Sequence, residues 1–361
     1  MKQRDPDDAG AGTLSEMPRS PAGPTVAARR WRVFERAVLV AGVALFALLL
    51  REIGPRVVLD NIRAVGWGIG LIVLQEALAY TANTLGWRYA FPSSDAPIGF
   101  TRLLGARIAG DAINYVTPTA TLGGEFVRIR LLRQQAPATT LVASVAIAKL
   151  SQTVGQVAFI VVGLLWVLER TPLPPPLRRG LLIGVAVLAA AAALLLVMQR
   201  NGLFAPLLRA LHALGLPRSL FELAARLQRL DDAIVDFHAS DSWSFVASAG
   251  CFFIGWALGV LEVYLILFLL GVPITFERAL AIEVFSAALD AMLFFVPGKV
   301  GTQEGGKVLI FSVLGLDVAK GLSLGILRRI RELVWAGIGL LILSRLHGGL
   351  PPLAKPEAAR G

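Results

Sequence analysis

Cysteine and histidine are nearly missing from this chain. Cys251 is the single cysteine among 361 residues, so no intrachain disulfide can form. His212, His238 and His347 lie far apart and offer no metal-ligand spacing. No nucleophile elbow, Walker loop or His-containing acid/base pair occurs, so the residues predict no enzyme, no metal and no cofactor. Long polar stretches are scarce too. Apolar residues make up 55% of the chain, and mean hydropathy is +0.67. Several apolar runs reach the ~20 residues that a membrane-crossing helix needs. Their Leu, Ala, Val and Gly content predicts an all-α polytopic membrane protein, because helices satisfy their own backbone hydrogen bonds in lipid. The net charge of +10 then reads as loop arginines facing an anionic leaflet, with no nucleic-acid partner expected.

Residues 1–28, rich in Pro, Gly, Ser and Asp, predict a disordered tail. Residues 29–346 predict one membrane domain, and 347–361 a short C-terminal tail. Arg29, Arg30, Arg32 and Arg36 precede Ala37–Leu50 in the manner of a signal peptide. The leader is long, however, no small-x-small cleavage site follows, and Arg51 comes next, so an uncleaved first helix is expected. Further apolar segments run at about 66–91, 138–168, 180–198, 244–270, 275–296 and 319–346. Leu173–Pro176 reads as a rigid outer turn. Segment 203–238 reads as an amphipathic helix, either lying on the cytoplasmic interface or packed against the bundle.

Two stretches are more polar and broken. One, 98–135, is interrupted at Pro118, Gly123 and Gly124. The other, 274–316, is interrupted at Pro297, Gly298 and Gly301. Both predict re-entrant hairpins, whose polar backbone is tolerated at membrane depth only inside protein. With both hairpins re-entrant, six segments cross, and the basic termini and the 199–242 loop all fall on the cytoplasmic side. If 275–296 spans fully, seven or eight crossings result.

The chain also repeats itself. Pro97-Ile98-Gly99-Phe100-Thr101-Arg102 returns as Pro273-Ile274-Thr275-Phe276-Glu277-Arg278, where the two arginines suit interfacial anchoring. Asp111, Pro118, Glu125, Arg128 and Lys149 are matched by Asp290, Pro297, Glu304, Lys307 and Arg328 at identical intervals. This predicts repeat one at about 66–168 and repeat two at about 243–346, inverted by the odd number of crossings between them.

Charges held at membrane depth are expensive and point to function. Glu125 and Glu304 open the second helix of each hairpin. They read either as capping carboxylates or as proton-coupling or gating groups facing a shared cavity, with Asp111 and Asp290 as further gating candidates or partners of the arginines. Arg128 and Lys307 can each pair with their own glutamate at (i, i+3). Lys149 and Arg328 interrupt apolar helices. Together with Arg128, Lys307 and Arg331 they form the candidate substrate-binding set, shaped for a phosphate; the alternatives are internal ion pairs or snorkelling. Glu332 is the only acid near Arg328, Arg329 and Arg331 in sequence, and Glu76, Glu262 and Glu283, unmatched between the halves, rank lower.

Asn114-Tyr115-Val116-Thr117-Pro118 with Leu122-Gly123-Gly124-Glu125-Phe126-Val127-Arg128, and Phe294-Phe295-Val296-Pro297-Gly298 with Gly301-Thr302-Gln303-Glu304-Gly305-Gly306, carry a resemblance. They look like the two signatures of the flippase-like membrane domain of lysylphosphatidylglycerol synthases. Arg328-Arg329-Ile330-Arg331-Glu332-Leu333-Val334-Trp335 is similar to that family's terminal helix, and the later motifs most resemble its stand-alone, hopanoid-associated subgroup. The resemblance implies a multi-pass protein of the bacterial inner membrane, and the positive-inside reading puts its N-terminus on the cytoplasmic side. It would move a lipid or lipid-linked product, whether hopanoid, aminoacylated phospholipid or glycolipid, between leaflets. The fused synthases carry a soluble transferase domain, whereas about fifteen residues follow Leu346 here, so lysyl transfer is not expected. The alternative function is a non-catalytic membrane partner that scaffolds a lipid-biosynthesis enzyme.

Overall fold

The computed structural model describes residues 55–91, 98–116, 122–170, 175–201, 219–292 and 302–347. The expected terminal tails, first helix 37–50, and breaks at Pro118, Pro297, Gly298 and Gly301 lie outside these residues, as does 203–218 of the amphipathic segment. Among the described residues the chain is entirely helical. The helices are α1 (Pro55–Val65), α2 (Gly68–Tyr89), α3 (Phe100–Val116), α4 (Leu122–Leu132), α5 (Ala138–Arg170), α6 (Pro175–Asn201), α7 (Ser219–Ser240), α8 (Ser242–Leu269), α9 (Phe276–Met292), α10 (Thr302–Val313) and α11 (Val318–His347).

Three of these, α5, α6 and α8, are long and apolar enough to cross a membrane. The α6 helix carries no charge from Gly180 to Gln199 and exposes Leu182, Ile183, Val187 and Leu194, as a lipid-facing helix should. Pro175 and Pro176, expected to lie in a turn, instead occupy the first turn of α6. Proline is tolerated there because the amide it lacks would have no partner within the helix. The short α1 carries no signal that sequence reading picked out. The open question at 203–238 is answered for its C-terminal part: Ile234 and Phe237 of α7 are buried in the bundle, and Asp231 is buried beside them.

Buried apolar side chains form two clusters rather than one. The first joins Trp87, most of α3 and α4, Leu141–Ala148 of α5, Phe245 and Phe252 of α8, and Leu343 of α11. The second joins Ile72, Phe159–Leu164 of α5, Val260–Leu267 of α8, the buried face of α9, Ile310 and Phe311 of α10, and Leu324 and Leu327 of α11. The helices α2, α5, α8 and α11 therefore run from one cluster to the other. Their direction follows from which cluster each enters first: α2 and α11 run from the second to the first, α5 and α8 the opposite way. Each short pair stays within one cluster, α3/α4 in the first and α9/α10 in the second. The α9 helix has 17 residues, the same as α3, a rise of about 26 Å that sits at the lower limit for spanning.

Helices α2 and α8 pack along each other, with hydrogen bonds from Gln75 Nε2 to Leu258 O at 2.9 Å and from Ser248 Oγ to Gly86 O at 2.7 Å. In lipid, such bonds and close backbone approach replace the hydrophobic drive between helices. The remaining contacts cross over. The α3 helix lies against α11, and α9 lies against α5.

Candidate functional site

Between the two apolar clusters lies a charged layer. On α2, Glu76, Tyr80 and Asn83 fall between Ile72 of one cluster and Trp87 of the other; on α11, Arg328, Arg331 and Glu332 fall between Leu327 and Leu343. This places the charges away from both ends of the long helices, where they are costly unless paired or wet.

The charges fall into two groups. The first is built on the α3/α4 pair, which crosses at Gly110 and Gly124. Added to Gly124, a Cβ would sit 2.1 Å from Gly110 O, and the Gly124 amide donates to Asn114 Oδ1 at 2.7 Å. That approach brings Asp111 against Arg128. Arg128 Nη1 also donates to Glu125 Oε2 at 2.7 Å, the (i, i+3) pair read from the sequence. Lys149 of α5 reaches Glu125 Oε1 at 3.1 Å, and the buried Arg107 lies 3.8 Å from Asp111. The Arg128 guanidinium lies over the Trp87 ring at 5.7 Å, so its apolar surroundings also hold it.

The second group lines a cavity of about 220 Å³ between α2, α5, α8, α9, α10 and α11. Glu76, Glu262, Glu283, Asp290 and Glu332 face it, with Lys307, Arg328 and Arg331 as its cations. Arg328 is clamped by Glu283 at 2.6 Å, Glu262 at 3.1 Å and the Gly259 carbonyl at 3.2 Å. Arg331 bridges Glu76 and Glu262, the latter at 2.8 Å. Here sequence reading misjudged the partners. Glu332, the nearest acid along the chain, lies 3.8 Å from Arg331 and is not the contact that holds Arg328, while the three glutamates ranked low supply the close contacts. Each lies inside an apolar run, and that depth outweighs the lack of a mate in the other half, because a buried acid needs a base.

Of the sequence candidates, Asp111, Glu125, Arg128 and Lys149 meet in the first group, and Asp290, Lys307, Arg328 and Arg331 meet at the cavity. Glu304 begins α10 beside Gly305, its side chain lying outside the described residues; Gly123 and Gly124 form the first turn of α4. The groups are adjacent. Gln152 lines the cavity one turn beyond Lys149 on α5, and Arg329 of α11 donates to the Tyr115 hydroxyl of α3 at 3.1 Å. Arg102 and Arg278 are exposed in the first turns of α3 and α9. Among the described residues, no cluster of three or more His, Cys, Asp or Glu side chains is arranged to hold a metal.

Comparison with known proteins agrees with a membrane domain of this kind. The chain is 23% identical over 312 residues to a UPF0104 membrane protein of Pyrococcus horikoshii, covering 81% of this chain and 91% of that one. No solved structure matches. The family model described as the lysylphosphatidylglycerol synthase TM region matches residues 36–339, and the chain belongs to that family.

Proposed function

We propose that this chain moves a lipid or lipid-linked product across a bacterial inner membrane, its polar head passing through the charged cavity. The carrying observation is the cavity itself, a polar chamber held between two apolar clusters by charges on five helices. An apolar structural core would need none of those charges, and their desolvation is unfavourable unless a polar cargo or water uses the space. Glu125, Glu304, Asp111 and Asp290 are the gating carboxylates in this reading, and the cations of both groups complete the polar route.

Two features support an inverted duplication as the framework. Helices of 22, 17, 11 and 33 residues (α2–α5) are followed by helices of 28, 17, 12 and 30 (α8–α11). The long members at matching places run in opposite directions, and each short pair keeps to its own apolar cluster. Alternating access in such frameworks rocks one half against the other around a fixed site.

The test is translocation of a fluorescent short-chain phosphatidylglycerol in proteoliposomes, read by chemical quenching of the outer leaflet. Glu304→Gln removes a gating charge, and Gln152→Trp fills the cavity without touching its ion pairs. Each is expected to slow transport at least tenfold while the melting temperature holds. Wild-type rates in both would sink the proposal.

A further inference from the structure

The cations of the charged layer are not equivalent. Arg128, Lys149, Arg328 and Arg331 each have a carboxylate oxygen within 3.1 Å. Lys307 does not. It is 5% exposed, it lines the cavity, and among the described residues no carboxylate or carbonyl oxygen lies within bonding distance of its Nζ. Its charged neighbours around the cavity are Arg328, Glu283, Asp290 and Glu262. Glu262 and Glu283 are already committed to Arg328. A buried ammonium without a partner is among the least favourable arrangements a protein can hold. The open space beside it is the cavity that it lines.

The geometry points to Lys307 as the seat of an anionic phosphodiester in the cavity, with Arg328 and Arg331 serving as a clamp that shapes the chamber and not as ligands. This rests on the cavity being the head-group chamber proposed above. The choice of a diester follows from the rest of the lining. Five carboxylates against three cations repel a dianion more strongly than a single negative charge, so a phosphodiester fits better than a phosphomonoester or inorganic phosphate. The diester can come from a phospholipid head group or from a soluble compound, and the same chemistry would hold either.

The experiment uses the full chain, purified in detergent and stripped of lipid, with dioleoylphosphatidylglycerol, glycerophosphoglycerol or a phosphate-free diacylglycerol glucoside added. Binding is read by native mass spectrometry and by melting temperature. Without ligand, Lys307→Met is expected to melt at or above the wild type, because an unpaired buried charge has been removed. It should then bind the phospholipid at least tenfold more weakly, and Lys307→Arg should restore most of the affinity. Lys307-dependent binding of the lipid alone identifies a head group, and binding of both diesters identifies a site that accepts soluble compounds; either supports the proposal. Equal binding of the glucoside, or phospholipid affinity unchanged in Lys307→Met, overturns it. So does a melting temperature well below the wild type, which would mean that Lys307 serves an internal ion pair. Lys307-dependent binding without translocation would defeat the transport reading and leave this site standing.

Discussion

Arg328→Ala should destabilise the folded protein by about 3–5 kcal/mol, the scale on which removing one partner of a buried ion pair acts. The guanidinium is almost fully buried and is held by three groups on two helices, Glu262 and the Gly259 carbonyl of α8 and Glu283 of α9. Truncation leaves Glu283 without its base and Glu262 with only its contact to Arg331. Glu283 is also pressed against Gly259, where a Cβ would lie 2.4 Å from its Oε1, so it has little freedom to turn away.

The cost belongs to the stranded acids and not to the lost arginine, and this can be separated. The triple variant Arg328→Met, Glu262→Gln, Glu283→Gln removes all three charges and should recover most of the stability, since an ion-pair cluster replaced as a unit is often close to neutral. Arg331 also uses Glu262, so the effects will not add, and a double-mutant cycle between Arg328 and Arg331 should show coupling of roughly 0.5–3 kcal/mol. Unfolding in detergent, followed by helical signal, measures each. An Arg328→Ala protein within 1 kcal/mol of wild type would mean that the arginine is solvated and the clamp is not buried.

Much of this arrangement can be read in the sequence, and the reason is specific. Lys149, Arg328 and Arg331 stand out because a charge in an apolar helix has no cheap explanation, and the intervals from Asp111 to Lys149 and from Asp290 to Arg328 survive twice. The Arg128–Glu125 pair follows from helical spacing alone and is present. The family resemblance rests on the motifs around these charges, and the all-helical architecture on the Leu-, Ala-, Val- and Gly-rich apolar runs. What the sequence hides is pairing between distant helices. Glu76 and Arg331 are 255 residues apart, and no local spacing relates Glu262 to Arg328. Repeat matching, useful for finding the first set, worked against these glutamates because they have no mate in the other half. It also favoured one shared chamber, whereas the structure gathers the matched first-half charges at the α3/α4 crossing and the matched Asp290, Lys307 and Arg328 at the cavity, where Glu76 joins them. The turn at Pro175 failed for a related reason: proline's aversion to helix interiors does not extend to the first turn.

Gly124→Ala is expected to be the most damaging single methyl group that can be added to the α3/α4 pair. The new Cβ would fall 2.1 Å from Gly110 O and 2.5 Å from the Asn114 amide, and one of these is backbone that cannot rotate away. Relief requires moving α4 off α3. That movement breaks the hydrogen bond from Gly124 N to Asn114 Oδ1 and draws Arg128 away from Asp111, a contact the crossing exists to make. Overpacking alone costs about 1–3 kcal/mol, and stranding Asp111 and the Gly124 amide adds to it, so the yield of folded protein should fall sharply. The control is Gly305→Ala on α10, beside Glu304 in the other short pair. Its Cβ meets open space, so the change should be neutral or stabilising by up to about 1 kcal/mol through helix propensity. The contrast isolates the crossing from any general intolerance of these glycines. If Gly124→Ala melts with Gly305→Ala and the wild type, α3 and α4 do not approach at these two residues, and the Asp111–Arg128 contact must be made some other way.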